Sequence, residues 1–436
     1  MGQRLSSLDN AFLQVEDAEN RMQLAGMLLF AGEAPDFAEF RQVVGERLLG
    51  LPHFTQRLSG SLLGLARPRW VEDRSFALDY HVTRTALPAP GGHDEVAAHI
   101  ENLTASPLDL SRPLWEIGLV EGLSHGFGIS LKIHHCMVDG LSIIDVFTAL
   151  LAPDSRLPAA APTQARKPSA EPTLLRRLAP APVSAAVGVV GLARTLGQAP
   201  ASTFNGGRPG PTRRISYVSV PLADVHEIRR AHDTTVNNIV LATVSGGLRR
   251  YLERNDALVD KLHAFVPVNA RPNGSRGAMG NQIAMTYPEL PVGEPDPAAR
   301  VRKVIESVRR AAQSRQAATT GTLMGLLGLA PAPLAATLNR AMQFRTGMFN
   351  VTVTNVPGSP VPLHFMGRQL DLIVGSTPLT RQHGLTVAVL TYNGSLTFMV
   401  TSDPRRVPGG DTIADDLQAE FDALLQLAKE NQRSHP

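Results

Sequence analysis

Two adjacent histidines, His134 and His135, followed by Asp139-Gly140, are the residues in this chain best suited to acid–base chemistry. An imidazole has an unperturbed pKa near neutrality, so a histidine kept neutral by apolar surroundings can take a proton from a hydroxyl. The run into the pair alternates, with Ile129, Leu131 and Ile133 apolar and Ser130, Lys132 and His134 between them. That period of two predicts a strand ending at the histidines, with His135 on the apolar face and His134 on the other. The two rings therefore have different jobs, and His135 is the expected general base. Adjacent histidines on opposite faces make a poor metal pair, and no second pair of ligands accompanies them, so no metal site is expected.

The element after the pair must turn sharply. Leu141, Ile144, Phe147 and Leu151 recur at helical spacing, and Ser142 with Asp145 has the spacing of a capping box. Asp139-Gly140 thus falls in a tight strand-to-helix connection, with Gly140 supplying the turn. Asp139 has two competing roles, capping the helix or pairing with a distant arginine to hold the loop and the His135 ring; the ion pair is favoured. Cys136 is the sole cysteine, which excludes an internal disulfide and makes a reducing, cytoplasmic compartment the expectation. Strand alternation turns it away from His135, so a small buried filler is expected there rather than a nucleophile.

A chain of 436 residues is long for one core and fits two domains of about 150 to 220 residues. Residues 1–152 would form the first, carrying the histidine pair, and residues 213–436 the second. Between them, residues 153–212 are rich in Pro, Ala and Arg and read as a linker with an amphipathic stretch inside it. Hydrophobic content of 43% against 19% charged residues indicates a globular protein, neither disordered nor fibrous. The net charge of +3 comes with no basic stripe interleaved with aromatics, and aromatics are only 5%, which argues against nucleic acid as a partner. Residues 1–20 are polar and acidic, without the apolar run of a secretory signal, and no apolar segment is long enough to span a membrane. Two apolar stretches flanked by arginine, residues 173–197 and 319–346, have the composition of interfacial helices. Packing on the body of the protein and contact with a membrane surface both fit them.

Further motifs narrow the reading. Leu5-Ser6-Ser7-Leu8-Asp9-Asn10-Ala11-Phe12, Met22 to Gly26, Pro113-Leu114-Trp115-Glu116, the segment from Thr235 to Ala242, Pro267-Val268-Asn269-Ala270-Arg271, Gly280-Asn281 and Thr354-Asn355-Val356-Pro357-Gly358 follow one another along the chain. With His134-His135-x-x-x-Asp139-Gly140, this ordered set resembles the bacterial wax ester synthase/diacylglycerol acyltransferase family, a branch of the CoA-dependent acyltransferase superfamily. The resemblance runs from end to end except for the middle linker. This chain departs from the family pattern with Met22-Gln23 where Met-His is usual, Asn237-Asn238 where Asn-Asp is usual, and Asn269 where a serine is commoner. None of these touches the histidine motif.

The resemblance implies an α/β fold of two chloramphenicol-acetyltransferase-like domains, each a mixed sheet flanked by helices, with a tunnel between them. It implies an O-acyltransferase that esterifies a diacylglycerol or long-chain alcohol, with acyl-CoA as co-substrate, no bound cofactor and no covalent acyl-enzyme. Arg271 is the implied partner of Asp139. Asn237 and Asn238 open a helical run and serve as helix cap or as part of the tunnel wall. Asn355, after a strand over residues 349–354, either forms a turn, the commoner role of Asn there, or, with the Thr352 and Thr354 hydroxyls as alternatives, faces the developing oxyanion, and Asn281 would turn near the channel. Pro113-Leu114-Trp115 would fix the start of a strand, and His81 would be a satisfied surface residue. Water-insoluble substrates imply peripheral attachment to the inner membrane or a lipid-inclusion surface. A condensation-type enzyme taking its acyl group from a carrier protein is the alternative, and the oligomeric state is left open.

Overall fold

The structure is a computed structural model that describes residues 3–5, 7–59, 68–137, 143–151, 199–207, 210–269, 283–313 and 347–434. In chain order the first half gives α1 (Ser7–Val15), β1 (Gln23–Phe30), α2 (Phe37–Leu48), β2 (Gln56–Leu58), β3 (Trp70–Glu72), α3 (Leu78–His81), β4 (Val82–Ala86), α4 (His93–Ala105), β5 (Trp115–Glu121), β6 (Phe127–His134) and α5 (Ile143–Leu150). The second half gives β7 (Arg214–Pro221), α6 (Leu222–Ala231), α7 (Val236–Arg254), β8 (Leu262–Asn269), β9 (Ile283–Thr286), β10 (Glu289–Leu290) and α8 (Pro297–Gln313). It closes with β11 (Val351–Pro357), β12 (His364–Phe365), β13 (Arg368–Ser376), β14 (Leu385–Tyr392), β15 (Ser395–Ser402) and α9 (Ile413–Ser434).

These elements build two mixed sheets. The first runs β12-β13-β1-β6-β5-β4, parallel between β4 and β5 and antiparallel elsewhere. The second runs β10-β8-β11-β14-β15-β7, with β9 beside β8 and parallel pairings on both sides of β11. Each half is thus an α/β layer structure, as expected, but the sequence boundary does not divide the sheets. Strands β12 and β13 belong to the second half of the chain and complete the first sheet, where β13 pairs with β1 from Ala25↔Ser376 to Phe30↔Leu370. Without them β1 would present an open edge. The approach is close: a Cβ at Gly26 would stand 2.6 Å from the Val374 carbonyl oxygen.

Strand β6 sits between β1 and β5 and is buried at all eight positions. Ile129, Leu131 and Ile133 pack into a core with α2 and α5, through Phe40, Val44, Leu48, Val146 and Leu150. The opposite face of the first sheet, through Ala25, Met27 and Val120, meets Val96, Ala97 and Ile100 of α4 and then Ile215, Tyr217, Ala388 and Met399 of the second sheet. The two halves therefore share a hydrophobic layer. A separate core lies beneath the second sheet, where α7 is buried from Asn238 to Leu248 against α8 and α9.

The structure corrects two of the sequence expectations. His81 is not at the surface: it ends the short helix α3 with 1% exposure, stacked on Trp115 at 4.6 Å and bonded through Nδ1 to the Trp115 carbonyl at 2.7 Å. Trp115 does open β5, as expected of the Pro-Leu-Trp motif, and its indole N–H donates to Phe54 O at 2.8 Å. The expected linker is also shorter than its composition suggests. Phe204 is fully buried in the core of the second half, and the Asn205 side-chain Nδ2 donates to Phe349 O at 3.0 Å. The arginine-flanked stretches 173–197 and 319–346 lie outside the described residues, among which no helix is long and apolar enough to cross a membrane.

Candidate active site

The strand β6 stops at His134, and His135–Met137 form one 3-10 turn. His135 thus leaves the strand, and its position is set by the turn instead of by the alternation that the sequence suggests. His134 is fully buried, with Nε2 2.9 Å from Glu16 Oε2 and Nδ1 accepting the Cys136 amide at 3.1 Å. An accepting Nδ1 leaves the proton on Nε2, so the ring donates to Glu16 and both of its nitrogens are occupied. His135 is half-buried. Its amide donates to Met22 O at 2.8 Å, and its ring lies 4.0 Å from the Phe12 ring, centroid to centroid, at an angle of 33°. Phe12 covers one face of the imidazole with apolar surface.

The N-terminal motif now has a physical role, because α1 lies against the 3-10 turn and brings Phe12 to His135. Asp9 and Asn10 of the same helix are buried. Just past its end, Glu16 accepts the Met22 amide through Oε1 at 3.3 Å as well as the His134 ring through Oε2. Sequence reasoning missed Glu16. The available signal was an acid following the Leu8 to Phe12 motif, but nothing in its spacing points to a histidine in another strand. Burial, followed by the nearby Asp9 and Glu16 carboxylates, pushes the Cys136 thiol up and keeps it protonated, so it is a filler, not a nucleophile.

The departure at Gln23 also has a structural reason. Gln23 pairs across the sheet with His134, and its Nε2 amide meets Leu103 O at 3.0 Å, Thr104 O at 3.1 Å and Ser106 O at 2.7 Å. It satisfies carbonyls at the C-terminal end of α4, where helix geometry leaves them without intrahelical partners, and the Lys132 ammonium adds a longer bond to Ser106 O at 3.4 Å. Two residues before His134, the buried Lys132 ammonium is neutralised by Glu116 at 2.7 Å.

The second half carries the remaining candidates. Neither Asn237 nor Asn238 caps α7. The helix starts at Val236 with Thr235 as N-cap, whose hydroxyl accepts the Asn238 amide at 3.2 Å. Asn237 is half-buried in the first turn, while Asn238 donates to Thr234 Oγ1 at 2.9 Å and keeps a buried Oδ1 that finds no hydrogen-bond partner among the described residues. Asn355 is not a turn residue either, since β11 continues to Pro357 and Asn355 pairs with Val389 of β14. The parallel ladder extends the strand past the point where Val-Pro-Gly suggests a turn. Thr352 and Thr354 are half-buried on the face opposite Val351 and Val353, which enter the core. Asp139, Gly140, Arg271 and Asn281 lie outside the described residues. Among the described residues no cluster of His, Cys, Asp and Glu could hold a metal ion.

Comparison with known proteins agrees over nearly the whole chain. A family model for the wax ester synthase/diacylglycerol acyltransferase catalytic domain matches residues 5–201 and 194–240, and one for the WS/DGAT C-terminal domain matches residues 279–425. A probable diacylglycerol O-acyltransferase of Mycobacterium tuberculosis is 31% identical over 446 residues, covering 98% of this chain and 96% of the relative. The solved wax ester synthase/diacylglycerol acyltransferase from Marinobacter aquaeolei superposes with a TM-score of 0.74 at 26% identity, covering 98% of this chain and all of that one. The first condensation domain of the calcium-dependent antibiotic synthetase shares the fold, with a TM-score of 0.61 at 16% identity over 98% of this chain and 96% of that one.

Proposed function

We propose that this chain, which belongs to the wax ester synthase/diacylglycerol acyltransferase family and is an O-acyltransferase forming triacylglycerol or wax ester, takes its acyl group from acyl-CoA and uses His135 as general base. One observation carries the assignment. Of the two histidines, only His135 is partly open to solvent, whereas His134 is buried with both nitrogens engaged. In this reading a His135 nitrogen takes the proton of the acceptor hydroxyl as its oxygen attacks the thioester carbonyl. The tetrahedral intermediate collapses with cleavage of the C–S bond, and the imidazolium returns the proton to the departing thiolate, giving ester and free CoA. The balance requires no covalent acyl-enzyme, metal or prosthetic group.

The roles of the remaining candidates, within and outside the described segments, belong to the same proposal. Arg271 would hold Asp139 through a charge-assisted pair and Gly140 would provide the turn. Asn237 and Asn238 would order the tunnel wall, and Asn281, Asn355, Thr352 and Thr354 would line the oxyanion side or the tunnel. Working on lipid substrates, the enzyme would sit peripherally at the cytoplasmic membrane face or on lipid inclusions, a reading supported by the composition of residues 173–197 and 319–346.

The test is thiol release from palmitoyl-CoA with hexadecanol, diacylglycerol, monoacylglycerol and an amine as acceptors. Thiol release with the hydroxyl lipids, absent with the amine and lowered by about two to four orders of magnitude in His135→Ala, is the expected result. Turnover only with an acyl group on a holo carrier protein would overturn the donor assignment.

A further inference from the structure

The turn over residues 16–22 is gripped from both sides. On the side of the first sheet it holds the histidine turn twice, through Glu16 to the His134 ring and through Met22 O to the His135 amide. On the other side two arginines of the second half hold it. Arg381 Nε donates to Asp17 Oδ2 at 2.7 Å and its Nη2 joins the same oxygen, while Arg213 Nη2 donates to Glu19 O at 2.7 Å. Asp17 is the knot, because its other oxygen, Oδ1, accepts the Glu19 and Asn20 amides at 3.0 and 2.9 Å and so closes the turn on itself.

Arg381 is well placed to report on the second half. It lies in the crossover from β13, in the first sheet, to β14, in the second, and its carbonyl accepts Arg406 Nη2 at 2.6 Å. Its neighbour Gln382 accepts the Gly206 amide through its carbonyl at 3.2 Å. The backbone at Arg381 is thus fixed to the second half while its side chain reaches the first. Arg213 is anchored likewise, with Nη1 on Gly210 O and Thr212 O, each at 2.8 Å.

We propose that the Asp17–Arg381 pair is a clasp through which the second half of the protein positions the turn that carries His135, making Arg381 and Asp17 positioning residues for acyl transfer. The proposal rests on the assignment of His135 as the base. The pair is partly exposed, with side chains 40% and 25% accessible for Arg381 and Asp17, so its value lies in geometry more than in bulk stability. A base displaced by a fraction of an ångström loses rate without losing substrate affinity.

The experiment compares Arg381→Gln, Arg381→Lys, Asp17→Asn and the double variant Asp17→Asn/Arg381→Gln in the full-length protein. The amide introduced by Asp17→Asn can still accept the turn amides through its side-chain carbonyl, which isolates the ion pair from the turn. Each loss-of-charge variant should lower kcat about tenfold with KM changed less than about twofold, the double variant should be no worse than either single one, and Arg381→Lys should recover most of the rate. Hydrogen exchange read by mass spectrometry supplies an arm independent of turnover. Peptides covering residues 16–22 and 127–137 should exchange faster in Arg381→Gln, while β14 and β15 stay as in the parent. Losses that multiply in the double variant, an unchanged kcat in Arg381→Gln, or exchange that rises uniformly would overturn the clasp. If instead His135→Ala keeps its activity, the base assignment falls, and the exchange arm still decides whether the pair holds the turn.

Discussion

Glu16 and His134, 118 residues apart in sequence, meet at 2.9 Å from carboxylate oxygen to ring Nε2 in the interior of the first half. The contact, with the Cys136 amide on the other ring nitrogen, makes His134 a fixed part of the scaffold. Replacing Glu16 with Ala would strand a buried N–H donor, at a cost of about 1–3 kcal/mol. Glu16→Gln retains a carbonyl oxygen to accept it. The expected order of urea midpoints is parent, then Glu16→Gln close behind, then Glu16→Ala, with kcat following the same order.

The two histidines should fail in different ways. His135→Ala should lower turnover by about two to four orders of magnitude, the usual worth of a general base, while the melting temperature stays near that of the parent. His134→Ala removes both ring bonds from a buried site and should lower the melting temperature. A His134→Ala protein that melts normally, with its activity gone, would reverse the assignment of roles.

Gln23 offers a test confined to packing. Its amide closes on three carbonyls at the end of α4, so Gln23→Ala should destabilise the protein by about 1–3 kcal/mol in denaturant titrations. Since His135 is held through Met22 O and not through the Gln23 side chain, kcat per folded molecule should change little. Gln23→His, the residue usual in the family, should recover part of the stability.

His383 supplies a pH dependence with a definite sign. The ring is 1% exposed and stacked on Phe349 with centroids 3.7 Å apart, Nε2 donates to Phe349 O at 3.0 Å, and Nδ1 accepts the Thr380 hydroxyl. Burial holds its pKa down at about 4, with the Phe349 carbonyl opposing and Arg406 reinforcing. The unfolded chain, with a histidine near 6.5, takes up the proton first as pH falls. The contribution of the neutral ring is therefore complete above pH 6.5 and drains away between about pH 6.5 and 4, by about 3 kcal/mol in all. The urea midpoint should fall across that window and fall less steeply in His383→Gln; equal slopes would remove His383 as the cause.

The family and the strand leading into the histidines are legible in residue order alone, because they rest on local features: a period of two in β6, a helical period after it, and motifs in a set succession. The inert character of Cys136 is legible there too, although the burial that achieves it arises in a 3-10 turn and not in a strand. Relationships between residues far apart along the chain emerge only on folding. Glu16 reaches His134, Gln23 closes α4, Arg381 holds Asp17, and β13 leaves its own half to pair with β1. Local spacing carries no record of such pairs, since loop closure lets residues hundreds of positions apart meet at modest entropic cost. The misplaced cap at Asn237-Asn238 and the misplaced turn at Asn355 have the same origin: short-range propensity favours Asn at caps and turns, and a threonine hydroxyl at Thr235 and the ladder to β14 overrode it.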